Sequence, residues 1–427
     1  MNMMVNNSST RLSLIMLAFT SFFYYLVARF SFNGYYLLLV SIIPVLLRFA
    51  VCLKSNTKNS GNLMWYLFLL LSIMSLTISK SQDATVKFIF LVGAVVVIKT
   101  VFENVRDWQK FLCKIFFVMA FIHVISTLLF LFIPDQMLIL VKLLLGEGYY
   151  PVYLQLYNAN SYPGIAGQTS SNAFYASVFI AFSFCQFLNG KHRIRNLLFL
   201  FLGICVLFMT AKRSFFLINI IAICYIVLKD KKGDRKSWVK KFCIILVIVS
   251  IGYLVLLYIP QADAILNKIE IFNDSSDVSN GRFNIWENTL LIFKQSPLFG
   301  IGGGALGTAY GISSHNVFLQ MLAEMGIVGA LVFLIAVLKN LLFTNKALDE
   351  VMIKEFYIKD DKICLQSAMY IQILFIIYCF FGNPFYGINF IVTYMLMVAI
   401  INSYWFQYQE SYADKENCIE SGNFNIS

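Results

Sequence analysis

The sequence predicts an all-α, polytopic membrane protein with about 12 transmembrane helices and a large helical extracytoplasmic loop. Three observations predict it. Of 427 residues, 59% are hydrophobic and only 13% charged, with a mean hydropathy of +0.74, and no soluble core needs that much apolar surface. Apolar runs of about 20 residues, the length that crosses a bilayer core, recur along the chain. The charges between those runs sit in short clusters, so the net +11 reads as the loops of a membrane protein and not as a basic groove. The lipid bilayer is the expected partner, and nucleic acid is not.

Twelve runs meet the length requirement, near 12–30, 34–53, 63–80, 86–102, 111–133, 171–189, 195–211, 213–229, 241–260, 316–338, 364–382 and 386–407. The first follows Arg11 but continues through Phe30 with no small-residue cleavage site, which makes it a retained span and not a removed signal. The fourth is short, and the seventh and eighth are parted only by the Lys212-Arg213 step. An even count puts both ends on one side. With the N-terminus inside, the inner segments hold 24 of the 33 Lys and Arg, leaving 9 for longer outer loops; that asymmetry places both termini in the cytoplasm. Cysteine agrees, because all nine fall in spans, near inner ends or in the inner tail, where disulfides are not expected. There is no CxxC and no Cys/His cluster, so a structural zinc site is not expected.

This pattern divides the chain into 1–133 with spans one to five, an outer loop 134–170, 171–260 with spans six to nine, a large outer loop 261–315, 316–407 with the last three spans, and a cytoplasmic tail 408–427. The polar tail is expected to be disordered. In the first outer loop, Met137 to Leu145 is apolar apart from Lys142 and too short to span, as in an interfacial helix. The aromatic stretch Tyr149-Tyr150-Pro151-Val152-Tyr153 follows, then Gly164 to Asn172. Those tyrosines read first as interface anchors, although their faces also suit sugar rings. In the second outer loop, Trp286, Leu290, Leu291 and Phe293 predict a helix from Arg282 to Gln295 lying against the membrane, ended by Pro297 and a glycine run.

Chemistry is concentrated in that second loop and the span after it. Gly281-Arg282 is followed by Trp286; Pro297-Leu298-Phe299-Gly300-Ile301-Gly302 comes next; then His315-Asn316 opens an apolar run that holds Leu319, Glu324 and Gly326. These three blocks, in this order, resemble the signature region of the O-antigen ligase and polymerase superfamily, integral membrane enzymes that move lipid-linked glycans. Recognisable motifs cover roughly a tenth of the chain, and structural context has to confirm them.

Arg282 opens a helix whose N-terminal amides attract anions, and its planar fork suits phosphate. Arg213 stands at the outer end of a span in Thr210-Ala211-Lys212-Arg213; the family often has Thr-x-Ser-Arg, so the charge is kept while Lys212 replaces a hydroxyl. A snorkelling anchor is the bland alternative for Arg213. His315, one of three histidines, can take a proton near neutral pH; its bland reading is a polar helix start with Asn316 as a poor cap. His123 and His192 are expected to be structural. The resemblance implies Arg282, His315 and Arg213 as catalytic residues, with Asn316, Lys212, Asn172, Gly281 and Gln320 binding substrate. Glu324, inside the tenth span, is read as a hydrogen-bonding and packing residue that partners Gln320 one turn before it.

Gly302-Gly303-Gly304-Ala305-Leu306-Gly307 spells GxGxxG, but no βαβ unit surrounds it, so a dinucleotide site is not expected; the glycines are read as a turn that approaches a ligand closely. No metal and no cofactor are expected. The resemblance implies a polyprenyl-diphosphate-linked oligosaccharide as donor, a bacterial plasma membrane as location, an extracytoplasmic site, and metal-independent, inverting transfer to the hydroxyl of another lipid-linked repeat. It leaves room for a chain-length regulator protein as a further partner. Transfer to a lipid A core sugar, or flipping of the same lipid-linked sugar, are the alternatives.

Overall fold

The computed structural model describes residues 7–30, 38, 60–229, 281–353 and 359–420. The expected spans at 34–53 and 241–260, the start of the second loop and the last seven residues lie outside the described residues. Among the described residues every regular element is helical. In chain order these are α1 (Asn7–Phe22), α2 (Tyr24–Phe30), α3 (Ser60–Met74) with a 3-10 turn Ser75–Ile78, α4 (Gln82–Phe102), α5 (Gln109–Phe132), α6 (Pro134–Leu145), α7 (Tyr149–Asn158), α8 (Thr169–Leu188), α9 (Arg193–Met209), α10 (Arg213–Lys229), α11 (Arg282–Gln295), α12 (Ala305–Tyr310), α13 (Val317–Ile353), α14 (Lys359–Tyr378), a 3-10 turn Pro384–Tyr386, and α15 (Ile388–Glu420).

Five of these are long and apolar enough to cross a membrane, or six when the bent pair α1 and α2 counts as one. The difference from twelve has physical reasons beyond the undescribed stretches. α9 and α10 have 17 residues each and α3 has 15, and α14 carries Asp360, Asp361, Gln366 and Gln372, which dilute its hydropathy. The first run is not a straight span, since α1 and α2 meet at 98°. Its second piece, α2, is held by Arg29, which donates to the carbonyls of Lys142 and Leu143 in the last turn of α6.

The stretch expected as the first outer loop is two helices, α6 starting at a proline in its first turn. Tyr153 is neither an anchor nor a sugar platform. It is fully buried, and its hydroxyl accepts from the Gly167 amide at 2.9 Å. The tail also differs from expectation, because α15 continues through Glu420; from Gln407 to Glu420 there is no Gly or Pro to stop it.

α8 and α15 form the centre. Both are buried almost all round, as an apolar helix without a polar face must be, and α5, α9, α14 and α4 pack about them. The helix ends gather at two poles. At one, Lys191 pairs with Asp360 at 2.7 Å, Lys229 with Asp349 at 2.6 Å and Lys110 with Asp361 at 2.9 Å. Near them Lys99 and Glu103 form a fully buried pair at 3.1 Å, completed by Asn62 and by Asn402, which donates to Glu103 at 2.8 Å. That cluster ties α3, α4 and α15 together. Removing one charge leaves its partner uncompensated in a dry interior, a loss of about 3–5 kcal/mol. Lys99→Met should therefore lower the melting temperature in detergent sharply, and Lys99→Met with Glu103→Met should recover part of the loss; equal melting of the two variants would show that the pair is not the cause.

Candidate active site

The opposite pole is built around an interruption in α13. Gly326 has φ +65° and ψ −172° in the middle of that helix, so the helical ladder stops there and four backbone groups lose their intrahelical partners. The turn Pro297 to Gly302 fills the gap. Ile301 N donates to Ala323 O at 3.1 Å and Gly302 N to Glu324 O at 2.9 Å, while Ile327 N and Val328 N donate to Pro297 O and Leu298 O at 2.9 and 3.3 Å. The fit leaves no room for side chains. A Cβ on Gly300 would lie 2.3 Å from the Glu324 carbonyl, and one on Gly326 would lie 2.3 Å from that of Leu298. The next glycines press on α4 and the turn before it, against Ser79, Phe88 and Ala84. The expected close approach to a ligand is thus an approach to the protein's own backbone.

Glu324 locks this arrangement. Its buried carboxylate accepts from Gly304 N at 2.7 Å, Leu306 N at 3.1 Å, Gln320 Nε2 at 3.1 Å and the Tyr386 hydroxyl at 2.6 Å. Two of those donors are the free amides at the start of α12, which a carboxylate suits by charge as well as by geometry. The packing role expected for Glu324, with Gln320 as partner, is what the structure has. Gln320 passes the order outward, because its Oε1 accepts from Asn383 Nδ2 at 2.6 Å and from Ser314 Oγ at 3.2 Å. Ser314 is also the point where α11 is tied in, its carbonyl accepting from Trp286 Nε1 at 2.9 Å.

On this frame stand the candidates. Gly281, at φ +81°, begins α11, and Arg282 is its first residue, half-buried. His315 sits in the left-handed region at φ +51°, one residue after the Ser314 turn, and is exposed. Asn316 is a good cap and not a poor one. Its Oδ1 accepts from Phe318 N at 3.0 Å and Leu319 N at 3.2 Å, the two amides a helix start leaves open. The His315 imidazole is held below its ordinary value, first by partial desolvation, then by the positive charges of Arg282 and Lys212. Those charges bring the three stretches together: Lys212 from the α9–α10 turn, Arg282 from α11 and His315 from the start of α13 share one corner.

Arg213 is the first residue of α10. Two residues along, Phe215 packs on Tyr378 with ring centroids 4.4 Å apart, and Tyr378 lies within the field of Arg282. Arg213 therefore opens a helix whose first turn reaches the same corner. Asn172 is placed otherwise. It is fully buried, and its amide donates to Thr127 Oγ1 at 2.8 Å and Tyr162 O at 2.9 Å. Gln320 is buried as well and holds the frame. Sequence reasoning gave no role to Ser314, which stands beside His315, and missed Asn383, Tyr386 and Tyr378, which come from stretches with no signal beyond their polarity near a span end.

The segment that builds this corner is also the segment with known likeness. Residues 197–334 match the family model described as O-antigen ligase. The chain carries the domain of the O-antigen ligase/polymerase superfamily. Among curated proteins none matches the chain. The matched region runs from within α9 through α12 to the first half of α13, so it spans Arg213, Arg282, His315 and the interrupted helix. The family matched by this segment implies a membrane setting, and the apolar helices fit it.

Two outcomes follow. Gly326→Ala and Gly300→Ala each drive a Cβ into opposing backbone and should abolish accumulation of folded protein, whereas Gly281→Ala, with nothing within 4 Å of its added carbon, should cost only about 1–2 kcal/mol for the left-handed backbone; melting curves of the three variants check this. For His315, a nearby cation disfavours the protonated ring, so removing one raises the midpoint. NMR titration of Lys212→Gln should move the His315 transition to higher pH than in the wild type, and an unmoved midpoint would separate the two residues.

Proposed function

We propose that this chain is a polysaccharide repeat-unit polymerase that transfers a glycan from a polyprenyl diphosphate to a hydroxyl of another lipid-linked repeat. One observation carries the reading: Arg282 and Lys212, from separate stretches of the chain, both bear on His315, which begins the turn into α13 more than a hundred residues after Lys212. Cations fixed before the reaction stabilise the charge that develops on a departing diphosphate without reorganising when it forms. Arg282 and Arg213 take that role, with Lys212 assisting. The acceptor oxygen bonds to the anomeric carbon from the face opposite the diphosphate, the bond from that carbon to the diphosphate oxygen breaks, and the acceptor proton passes to His315. Configuration inverts. The two cations that keep the imidazole neutral to lower pH also keep it able to accept that proton.

The pole carrying these residues is the extracytoplasmic one in this reading, because Lys191, Lys229, Lys110 and their neighbours collect at the other, the side where basic residues accumulate. The matching family model, described as O-antigen ligase, favours a second reading in which the acceptor is a lipid A core sugar. The product separates them: a polymerase lengthens the lipid-linked repeat with no core acceptor present, and a ligase does not.

Arg282→Ala tests the assignment. The variant should insert and fold, since Arg282 is half-buried at a helix start, while chain growth falls by about 10²–10³-fold, the usual loss when one such donor is removed. Long-chain polysaccharide at wild-type level in that variant would overturn the assignment.

A further inference from the structure

We propose that the tip of the glycine turn, Leu298 and Phe299, is inserted into the lipid leaflet on the candidate-site side and seats the α13 joint at the membrane boundary. The inference does not depend on the glycan-transfer reading. It starts from two stripes. After the break, α13 exposes Ile327, Leu331, Ile335, Leu338 and Leu342, spaced by three or four so that they line one helix face. α3 exposes Leu63, Leu67, Leu70 and Met74 at the same spacing, and Ile78 in the turn that follows. The two helices pack on each other. Each stripe starts near the ion-paired pole, where Asn62 bonds Glu103 and Asp349 pairs with Lys229. From Ile327 to Lys346 the helix is about 30 Å long, the thickness of a bilayer core, so these are the lipid faces of the bundle.

Both stripes stop at the same turn. Ile327 N and Val328 N donate to Pro297 O and Leu298 O, and Lys80 N, just after Ile78, donates to Ile301 O at 2.9 Å. Beyond that point the surface turns polar, with Lys80, Gln82 and Asp83 exposed. Leu298 and Phe299 are 59% and 55% exposed beside the end of the α13 stripe. A turn in water carries polar side chains at such a tip, whereas exposed apolar side chains continuous with a lipid face point to lipid. The backbone permits it. Pro297 has no N–H, and the carbonyls of Ser296, Pro297 and Leu298 accept from Gly300, Ile327 and Val328, so these groups need no water at the depth of the acyl chains. On α11, Leu290 and Leu291 share the exposed face with Glu287 and Lys294, the mixture of a helix at headgroup level and not inside the core. The turn therefore marks the boundary, and the joint that carries the candidate site is referenced to the membrane as well as to the bundle.

The test uses the full chain in nanodiscs of phosphatidylethanolamine and phosphatidylglycerol, with the photo-crosslinking residue p-benzoylphenylalanine at one position at a time. Leu298→p-benzoylphenylalanine and Phe299→p-benzoylphenylalanine should give lipid adducts at the yield of Leu331→p-benzoylphenylalanine, and Asp83→p-benzoylphenylalanine should stay at background. Hydroxyl-radical footprinting of the unmodified chain reads the same point without a variant: Phe299 should be protected to the level of Phe201, an exposed residue within α9. Oxidation of Phe299 above that level, absence of lipid adducts at Leu298 and Phe299, or adducts there to a second copy of the chain in place of lipid overturns the proposal. None of these readouts involves chain growth, so the seating of the turn and the glycan-transfer reading fall separately.

Discussion

The structure at this pole depends on the exchange of backbone hydrogen bonds between the Pro297–Gly302 turn and the interrupted α13. Inside a membrane an open peptide group has no water to turn to, so a broken helix survives only if protein completes it. Here the turn supplies two donors and two acceptors, and the meeting of Gly300 with Gly326 sets how close the two backbones come. Everything that positions His315 and Arg282 is referenced to that joint: Glu324 on its inner side, Gln320 and Ser314 further out, Trp286 clamping α11 to the Ser314 carbonyl.

This shows how the three sequence blocks act together. Read singly, the Pro-x-x-Gly-x-Gly turn could be a loop, the His-Asn pair a helix start and the Gly-Arg-Trp run an amphipathic helix. In space they form one object, in which the second block repairs the third and the first is hung from the junction. Glu324 shows the economy of it, since a carboxylate too deep for chemistry takes two amides at the start of α12, one hydroxyl and one amide side chain, and so ties α12, α13 and the Pro384–Tyr386 turn together.

How much of this was legible follows from the range of the physics. Helix existence is local, and α11 begins at Arg282 and ends at Gln295 as its apolar spacing and the following proline require. The break at Gly326 was not legible, because a glycine in an apolar run reads as a tolerated helical residue unless the turn that replaces its hydrogen bonds is already in place. The burial of Asn172 was not legible for a related reason. A polar residue beside a predicted outer end looks available, yet its amide bridges to Thr127 and to the Tyr162 carbonyl, contacts separated by up to 45 positions. The 98° bend after Phe22 belongs with these, since Arg29 finds its acceptors on α6, far along the chain.

The interrupted helix also bears on transport as an alternative. Transporters that carry substrate at mid-membrane use broken helices, with the freed backbone groups offered to ion or substrate. α13 is broken, so a broken helix by itself does not separate the two classes. What separates them is where the freed groups go. In α13 the carbonyls of Ala323 and Glu324 and the amides of Ile327 and Val328 are all bonded to the glycine turn, and the Glu324 carboxylate has four donors. The break is closed to any passing ligand. Its polarity is turned to holding a rigid corner at the helix's start, where a fixed set of cations and one imidazole favours a reaction over a passage.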